Sequence, residues 1–460
     1  MLNESFYHAL NVNTDQCTGC THCMMKCPTS AIRIRDGKAT IRQDWCVDCG
    51  ECMRACPVDA IYVAQDDFAR IFDFKVRVAL LPAVFFGQFA DTVSDERIHA
   101  AVQEIGFTHV CQVEQTADVI TRRMVQAQGE MPDKPLISPF CPAIVRLIQV
   151  RFPALVDHII PIKPPIDATS ILYKQMLIGQ GIDESDIGLF YVTPCAAKIA
   201  AVKSPVGEKQ SVINGVINMD FLYNKVQQLL IQQPDVGQGM ALEIPPIPHK
   251  GALWSLTNGE ADRMQGRCLA IDEIHNVIEL LDQLETTDQI TDVDFLELRG
   301  CDEGCAGGVL MSRNRFLIVE RLRKKTLSMK DGSLTDNPAY GAALDYLDEH
   351  LTLDEIHPRS IQAFGADVGQ ALKKMQQARN LMCYLPGIDC GACGAPNCQS
   401  LAEDITRREA NLSHCIFLQR TMEKHRKLSS DHAIRIIEKT WGKDRLDKDC
   451  RKKGAKYEGK

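Results

Sequence analysis

The chain lacks an excess of basic residues and any long hydrophobic run. Its 460 residues carry a net charge of -8 at pH 7, which argues against a nucleic-acid-binding surface. The longest apolar stretch, Val78 to Phe86, is too short to span a bilayer and contains Pro82. The first residues have neither the basic nor the apolar region of a signal peptide. We therefore expect a cytoplasmic protein that binds neither nucleic acid nor membrane.

Cysteine, in contrast, is abundant, with 20 residues in a chain of otherwise ordinary composition. Hydrophobic residues make up 45% and charged residues 24%, as in soluble globular proteins. In a reducing compartment such a cysteine content indicates metal ligation rather than disulfides. The length predicts about three domains, at roughly 100 to 200 residues each.

Eight of the cysteines form two runs near the N-terminus, each with the spacing C-x2-C-x2-C-x3-C-P. This spacing lets three thiolates of a run hold one cubane while the fourth reaches the cluster of the other run. Structural zinc is the alternative, but zinc sites usually pair two C-x2-C units without the trailing Cys-Pro. We predict a ferredoxin-like module with two [4Fe-4S] clusters. Their ligands would be Cys17, Cys20, Cys23 and Cys56 for one, and Cys46, Cys49, Cys52 and Cys27 for the other.

Beyond these runs, apolar segments alternate with amphipathic ones, which indicates an α/β domain built from β-α-β units. Strand-like runs at 135–139, 187–193 and 293–298 are each followed by a loop that contains cysteine. Ligands of open α/β sheets lie outside the carboxyl ends of strands. We therefore expect these loops to converge on one site.

The three loops supply four thiols, Cys141, Cys195, Cys301 and Cys305. A single buried cysteine is often only a small hydrophobic residue. Four thiolates suit one [4Fe-4S] cluster, and the glycines around Cys301 and Cys305 permit a close backbone approach. As an ordered set, these residues predict a central iron-sulfur site.

At this point the chain resembles the [FeFe]-hydrogenase family. The segments SPFCP, TPCAAK and ELRGCDEGCAGG are similar in order and spacing to the family's three H-cluster loops, T-S-C-C-P, M-P-C-x-x-K-x-x-E and E-x-M-A-C-x-x-G-C-x-x-G-G-G. The resemblance implies that the four central cysteines hold a cubane and that Cys305 also bridges to a diiron subsite with CO, cyanide and a dithiolate amine. It further implies that Lys198 hydrogen-bonds a cyanide. The alternative for Lys198 is a surface lysine without such a role.

The departures from the family pattern concern proton transfer. Phe140 replaces the cysteine that passes protons to the cofactor, and Thr193, Ala201 and Arg299 replace a methionine, a glutamate and a methionine. The preceding helix, which in the family carries relay glutamates, reads ITRR at 120–123. Each lost general acid or base typically costs about 10²- to 10⁴-fold in rate. The chain therefore resembles the sensory branch of the family, and we expect slow turnover.

A third cysteine-rich segment has the spacing C-x2-C-x4-C-x16-C. A helix after its third cysteine would return the fourth to the same loop. The segment resembles the small [4Fe-4S] domain of electron-transfer subunits and sensory hydrogenases, with structural zinc as the alternative. The predicted ligands are Cys390, Cys393, Cys398 and Cys415. No role is predicted for Cys111, Cys268, Cys383 and Cys450.

The predicted fold class is α/β, with an α+β ferredoxin-like module, a two-lobed hydrogenase-type domain and a small helical Fe-S domain. Residues from about Thr440 are polar and basic, which indicates a frayed tail or a partner-binding surface. The predicted domains are residues 1–70 (ferredoxin-like), 71–352 (H-cluster domain), 353–382 (helical connector), 383–420 ([4Fe-4S] domain) and 421–460 (helical, basic tail).

Two functions are consistent with this reading. The first is a slow or H2-sensing hydrogenase of an anaerobic cytoplasm, catalysing H2 = 2H+ + 2e-, with Lys198, Cys305 and Phe140 at the reacting centre. Its electrons would pass to a redox partner, and its signal to a separate kinase or phosphatase. The second is an electron-transfer or scaffold protein that has only [4Fe-4S] clusters and no H2 chemistry.

Overall fold

The computed structural model describes residues 6–131, 135–238, 247–248, 250–286, 292–329, 332, 334, 340–359 and 368–446. The chain forms two compact units that do not follow its linear order. The first unit comprises Met1–Leu10, Val47–Gly50 and Val63–Arg359, and the second comprises Asn11–Cys46, Glu51–Tyr62 and Ser360–Lys460. Most of the N-terminal cysteine module therefore shares a unit with the C-terminal segment.

Strands and helices alternate through the first unit, whereas the C-terminal part of the second unit is helical. The strands are β1 (Leu10–Val12), β2 (Ile32–Arg35), β3 (Lys38–Ile41), β4 (Ile61–Val63), β5 (Val76–Leu81), β6 (His109–Gln112), β7 (Leu136–Ile137), β8 (Ile187–Thr193), β9 (Gly215–Asn218), β10 (Cys268–Ile271) and β11 (Phe295–Leu298). The helices are α1 (His22–Lys26), α2 (Glu51–Arg54), α3 (Ala83–Phe86), α4 (Asp95–Glu104), α5 (Ala117–Glu130), α6 (Pro142–Arg151), α7 (Pro165–Gly179), α8 (Ala196–Lys203), α9 (Met219–Gln232), α10 (Ile274–Thr286), α11 (Arg315–Ser328), α12 (Gly341–Glu349), α13 (Val368–Met382), α14 (Cys398–Thr406), α15 (Ile416–Lys424), α16 (Ser430–Trp441) and α17 (Lys443–Leu446).

The first unit contains two parallel sheets, which confirms the predicted α/β class. One sheet has the order β6-β5-β8-β9 and the other the order β10-β11-β7. Every residue of β8 is buried, as expected for a central parallel strand that is covered on both faces. The strand-like runs at 187–193 and 293–298 are thus confirmed as β8 and β11, and the run at 135–139 contains the short β7.

Strands β9 and β10 were not predicted from the sequence. Both have four residues, and β10 is only partly buried, so neither produces a long apolar run. β9 pairs in parallel with β8, and β10 pairs in parallel with β11, so each strand extends one of the two sheets. A pattern in a single sequence does not reveal these pairing partners.

In the second unit, the C-terminal segment packs on the strands of the N-terminal module. The β2–β3 hairpin is antiparallel, and Ile34 N in β2 donates to Gly394 O at 2.9 Å. A Cβ atom placed on Gly391 would lie 3.1 Å from Met24 Cε. The loop that contains Cys390, Cys393 and Cys398 therefore lies against the chain beside Cys23.

Two sequence expectations need correction. Residues 353–359 are not helical, because Leu353 and Ile356 instead pack into the core of the first unit; the helix begins at Val368, and 360–367 lie outside the described residues. The expected frayed tail is wrong as far as residue 446. Gly37 N donates to Thr440 O at 3.0 Å and Arg445 Nη1 to Thr18 O at 2.9 Å, so these helices lie on the N-terminal module.

No helix among the described residues is both long and apolar enough to cross a bilayer.

Candidate metal centre

The central cysteines lie where β7, β8 and β11 end. Cys141 precedes the first residue of α6, Cys195 precedes α8, and Cys301 and Cys305 lie in the loop after β11. β7 and β11 are parallel neighbours in one sheet, so their carboxyl ends bring the first and third loops together. Leu310 N donates to Pro194 O at 3.0 Å, which joins the second loop to the third. A Cβ atom placed on Gly300, the neighbour of Cys301, would lie only 3.6 Å from Cys141 Sγ.

The thiols are close enough to influence one another electrostatically. Burial raises the pKa of Cys195 to about 12; the charge of Lys198 opposes this rise, whereas negative charge on Cys305 and Cys141 adds to it. Burial likewise raises the pKa of Cys141. Thiols in such a setting are protonated unless a metal binds them as thiolates. The structure thus brings three predicted ligands into one buried group, with Cys301 in the adjoining loop.

Lys198 lies in this group and not on the surface. Its side chain is 6% exposed, and Nζ donates to Cys305 Sγ at 3.4 Å. Burial alone would lower the pKa of Lys198, but negative charge on Cys305, Tyr191 and Cys195 outweighs burial and raises it. The ammonium group therefore stays charged and is directed at the thiol predicted to bridge to a diiron subsite.

Phe140 is in contact with two cations. Lys198 Nζ lies 4.2 Å and Arg299 Cζ 4.0 Å from the centroid of its ring. The ring is 5% exposed, and Phe140 N donates to Ser138 Oγ at 3.1 Å. Such contacts are worth about 2 kcal/mol when desolvated, so they fix the ring at the position where the family has its relay cysteine.

Arg299 is held by two buried carboxylates. Its Nε donates to Glu297 Oε1 at 3.0 Å, and its Nη2 lies 2.8 Å from both Glu260 Oε2 and Trp254 O. Glu260 also accepts from Ser138 Oγ at 2.8 Å. Glu297 stands in the quoted third motif, but Glu260 lies in no motif and was missed because only the fold brings it here.

The side chains around the central cysteines offer hydrogen-bond donors, so they fit a bound group that is rich in acceptors. Within the described part of the chain, Arg299 Nη1 and Tyr191 Oη are buried and have no hydrogen-bond partner. Negative charge on Cys305 contributes to raising the pKa of both side chains, which places them near that thiol. Four thiols with unpaired donors suit a cubane, and the donors also suit CO and cyanide ligands of a diiron subsite.

Two buried carboxyl groups near Lys198 were also missed by sequence reasoning. Glu114 accepts from Ala83 N at 2.9 Å, and burial raises the pKa of Glu114 to about 7. Burial raises the pKa of Asp167 to about 6, with Lys163 and Lys198 opposing the rise. Both groups lie on elements outside the cysteine motifs, so no spacing signal marks them.

Asp167 lines a cavity of about 60 Å³ in the first unit. Pro139 and Pro142, which flank the Phe140-Cys141 pair, line the same cavity. One water molecule needs about 10 to 15 Å³ of such space, so the cavity has room for several. A titratable carboxyl group and space for water thus lie beside the first cysteine loop.

The N-terminal thiols accept backbone hydrogen bonds of the kind that tune iron-sulfur clusters. In the second unit, Cys17, Cys27 and Cys56 Sγ accept from Ala39, Ala31 and Ala60 N at 3.3, 3.2 and 3.2 Å. Burial raises the pKa of Cys23 to about 12, with contributions from Cys20, Cys17 and Cys56. These neighbours of Cys23 are the ligands predicted for the first cluster.

Cys49 of the second run belongs to the first unit. It packs against the same hydrophobic cluster as Cys141. The adjacent Asp48 is fully buried and lies 3.0 Å from Arg146 Nη1 on α6, the helix that follows Cys141. The loop between Cys46 and Cys49 is therefore anchored to the element that carries the central site.

The C-terminal thiols also form a group. Burial raises the pKa of Cys393 to about 11, and negative charge on Cys390 and Cys415 adds to the rise. Cys393, Cys398 and Cys415 share one hydrophobic cluster, and α14 followed by the turn at 412–414 returns Cys415 to the loop. The predicted helix after Cys398 is confirmed.

Among the remaining cysteines, the structure gives no ligand-like setting. Cys111 Sγ is buried and donates to Gln115 Oε1 at 3.2 Å, Cys268 is partly buried, and Cys383 is exposed. Cys450 lies outside the described residues.

Family models match the N-terminal and C-terminal cysteine-rich regions and two of the three central loops; Cys301 and Cys305 lie outside the matched ranges. Residues 75–238 match the family model for the iron only hydrogenase large subunit, C-terminal domain. Residues 16–61 match the 4Fe-4S dicluster domain, and residues 385–417 match the Fe-S cluster family named FeS.

Among individual proteins, the chain is 32% identical over 212 residues to the periplasmic [Fe] hydrogenase large subunit of Nitratidesulfovibrio vulgaris. This alignment covers 42% of the chain and 50% of the relative, so the chain matches about half of that protein. Among solved structures, the [FeFe]-hydrogenase HydA1 from Chlamydomonas reinhardtii gives a TM-score of 0.45 at 14% identity, covering 62% of this chain and 95% of that one.

Proposed function

Because the chain belongs to the family of the iron-only, or [FeFe], hydrogenase large subunit, we propose that it is a slow or H2-sensing hydrogenase that catalyses H2 = 2H+ + 2e-. The observation that carries this proposal is the contact of Lys198 with Cys305. A buried lysine is costly unless it has an anionic partner. Beside a bare cubane the Cys305 thiolate would be its anionic partner, whereas a cyanide-bearing subsite would supply a second acceptor.

The proposed ligands of the central cubane are Cys141, Cys195, Cys301 and Cys305, with Cys305 also binding the diiron subsite and Lys198 its cyanide. When bound, that subsite supplies the H2 chemistry. The protein's residues hold and orient it and exclude water, since Phe140, Lys198 and Arg299 are all nearly inaccessible.

Proton supply is the step that this chain performs poorly. Phe140 cannot carry a proton, and its ring is fixed between two cations. Burial raises the pKa of Asp167 to about 6, and this residue lines the cavity beside the cysteine loop. No hydrogen bond in the described residues connects Asp167 to Lys198, so we propose slow exchange rather than rapid turnover.

Electrons would leave the central site through the cluster that includes Cys49. Cys49 and Cys141 pack against one hydrophobic cluster of the first unit, which supports this order. The other N-terminal cluster and the C-terminal cluster would continue the path to a redox partner protein. A separate kinase or phosphatase as receiver of the signal and a cytoplasmic location remain predictions from the sequence.

The test is infrared absorption of protein produced with the hydrogenase maturases, recorded under argon and then under H2. We expect bands in the CO and cyanide region that shift on addition of H2. Protein produced without the maturases is the control and should show no such bands.

Absence of bands from the matured protein, with iron bound at all four sites, would contradict the proposal. The chain would then be the alternative, an electron-transfer or scaffold protein with only [4Fe-4S] clusters. Lys198→Ala is the matched variant. It should retain cluster iron but shift or weaken the cyanide bands, because the donor to cyanide is lost.

A further inference from the structure

Two of the residues that depart from the family pattern, Phe140 and Arg299, contact each other. The Arg299 guanidinium carbon lies 4.0 Å from the centroid of the Phe140 ring, and the side chains are 1% and 5% exposed. Arginine stacks on aromatic faces through its planar, always charged guanidinium group. The replacements of the family's relay cysteine and of its methionine therefore form one structural pair.

Three strong acceptors lie around Arg299, and they occupy only two of its three nitrogen atoms. Glu297 accepts from Nε, while Glu260 and Trp254 O lie at Nη2. Among the described residues Nη1 has no partner, although it is buried. An unsatisfied buried donor costs about 1–3 kcal/mol, more for a charged group, so an acceptor at Nη1 would offset a substantial penalty.

Arg299 keeps its positive charge because of its acidic neighbours. Burial would lower the pKa of Arg299, but Glu260, Glu297, Cys305 and Cys141 together raise it. Two of these neighbours are central cysteines, one from the first loop and one from the third. The geometry agrees, because the guanidinium group stacks on Phe140, the neighbour of Cys141, and Lys198, which contacts the same ring, donates to Cys305 Sγ.

We propose that Arg299 is a cofactor-binding residue of the central site that raises the reduction potential of the cluster held there. Its Nη1 donates to an acceptor of that cluster or of its ligands, and its charge does not titrate. Reduction adds one electron to the cluster and breaks no bond, so a fixed positive charge in a low-dielectric site stabilises the reduced form. This inference rests on the proposed central cluster but does not require the diiron subsite.

The consequence for the proposed sensor is that its central site retains electrons. A methionine at this position would supply neither charge nor a hydrogen-bond donor. With Arg299 in place, the central cluster is reduced under milder conditions and passes electrons on less readily. Retention of the reduced state suits a sensor better than a rapidly cycling enzyme.

The experiment is a redox titration of the full chain, produced without maturases and followed by EPR at several pH values. The central signal is identified by its loss in Cys301→Ala. In Arg299→Met we expect its midpoint potential to become more negative, with the other cluster signals unchanged. Arg299→Lys, which keeps the charge, should give a smaller shift.

A control and a second variant keep the test decisive. Arg77→Met removes a cation whose Nε donates to Gly106 O and should leave the central midpoint unchanged. Glu260→Gln removes a negative charge beside Arg299 and should shift the midpoint in the positive direction, even if Arg299→Met does not fold. Unchanged midpoints in a fully iron-loaded Arg299→Met or Glu260→Gln would overturn the inference.

A second readout separates this inference from the proposed function. In matured protein, Arg299→Met should shift the cyanide bands relative to wild type if the diiron subsite is present. If wild type itself has no such bands, the hydrogenase proposal fails. The titration of the cubane still reports whether Arg299 controls its potential.

Discussion

At the residue scale, the central site is defined by charges that are buried together. Lys198 and Arg299 both contact the ring of Phe140, and Arg299 pairs with the carboxylates of Glu260 and Glu297. Removing one partner from such a network leaves an uncompensated buried charge, which typically costs about 3–5 kcal/mol. Phe140 and Arg299, two residues that depart from the quoted family motifs, are therefore also part of the site's packing.

Phe140→Cys should raise H2 turnover, because it restores a titratable group at the position of the family's relay cysteine. General acid-base catalysis contributes about 10²- to 10⁴-fold, so we expect an increase of about 10²-fold in H2 oxidation with an artificial electron acceptor. Phe140→Ala is the control, since it opens the same space without a thiol. Equal activity of wild type and Phe140→Cys would show that Phe140 is not the bottleneck.

His99 on α4 should make the first unit sensitive to acid. Burial lowers the pKa of His99 from 6.5 to about 4, and its side chain packs 5.4 Å from the Phe86 ring. Between these values the unfolded chain binds more protons than the folded chain, so stability falls as the pH drops below about 6.5. The cost at pH 5 is about 2 kcal/mol relative to pH 7.5.

The measurement is urea unfolding of wild type and His99→Phe at the two pH values. His99→Phe keeps an aromatic ring beside Phe86 but cannot be protonated, so it should lose about 2 kcal/mol less than wild type on acidification. An identical loss in both proteins would assign the acid sensitivity to other groups.

At the element scale, one buried carboxylate joins the β2–β3 hairpin to α14 within the second unit. Asp404 Oδ2 lies 2.8 Å from Arg33 Nε and 2.7 Å from Arg35 Nη2, and its Oδ1 lies 3.0 Å from Arg42 Nη2. Burial would raise the pKa of Asp404, but the hydrogen bond from Arg33 and the three positive charges hold it below its usual value. The carboxylate of Asp404 thus connects the hairpin of the N-terminal module to α14.

Asp404→Asn should destabilise the second unit by about 3–5 kcal/mol, because Arg33 and Arg35 would lose their carboxylate and Arg42 would keep only Glu409. The measurement is denaturant unfolding together with the iron retained by the C-terminal segment. Asp44→Asn is the matched control, since Asp44 is exposed and pairs with Arg407 at 3.5 Å. An exposed pair of this kind is worth about 0–1 kcal/mol, so a similar loss in both variants would argue against the role of Asp404.

At the scale of the whole molecule, the cysteines proposed as cluster ligands are distributed over two compact units. The central cysteines lie in the first unit, whereas the C-terminal cysteines share the second unit with most of the N-terminal module. The C-terminal segment reaches its neighbours through Gly394, whose carbonyl accepts from Ile34 N. Loss of the C-terminal cluster should therefore destabilise the second unit and leave the central site intact.

Cys393→Ser should remove one cluster, or about four irons per chain, and leave any CO and cyanide bands of the matured protein unchanged. Cys383→Ser is the control, because Cys383 is exposed and has no predicted ligand role. The two variants are compared by iron analysis and infrared spectroscopy. Loss of the CO and cyanide bands in Cys393→Ser would show that the C-terminal segment supports the central site.

The sequence determined the set of candidate cluster ligands, because ligand spacing is a local property. The two C-x2-C-x2-C-x3-C-P runs, the three central loops and the C-terminal segment were all readable from one chain, as were the α/β class and strands such as β8. The tertiary structure decided which distant groups meet. Glu260, Glu114, Asp167 and Asp404 lie outside every motif and gain their roles only where separate elements pack together. The physical reason is that burial and charge pairing depend on neighbours in space, whereas periodicity and spacing report only neighbours along the chain.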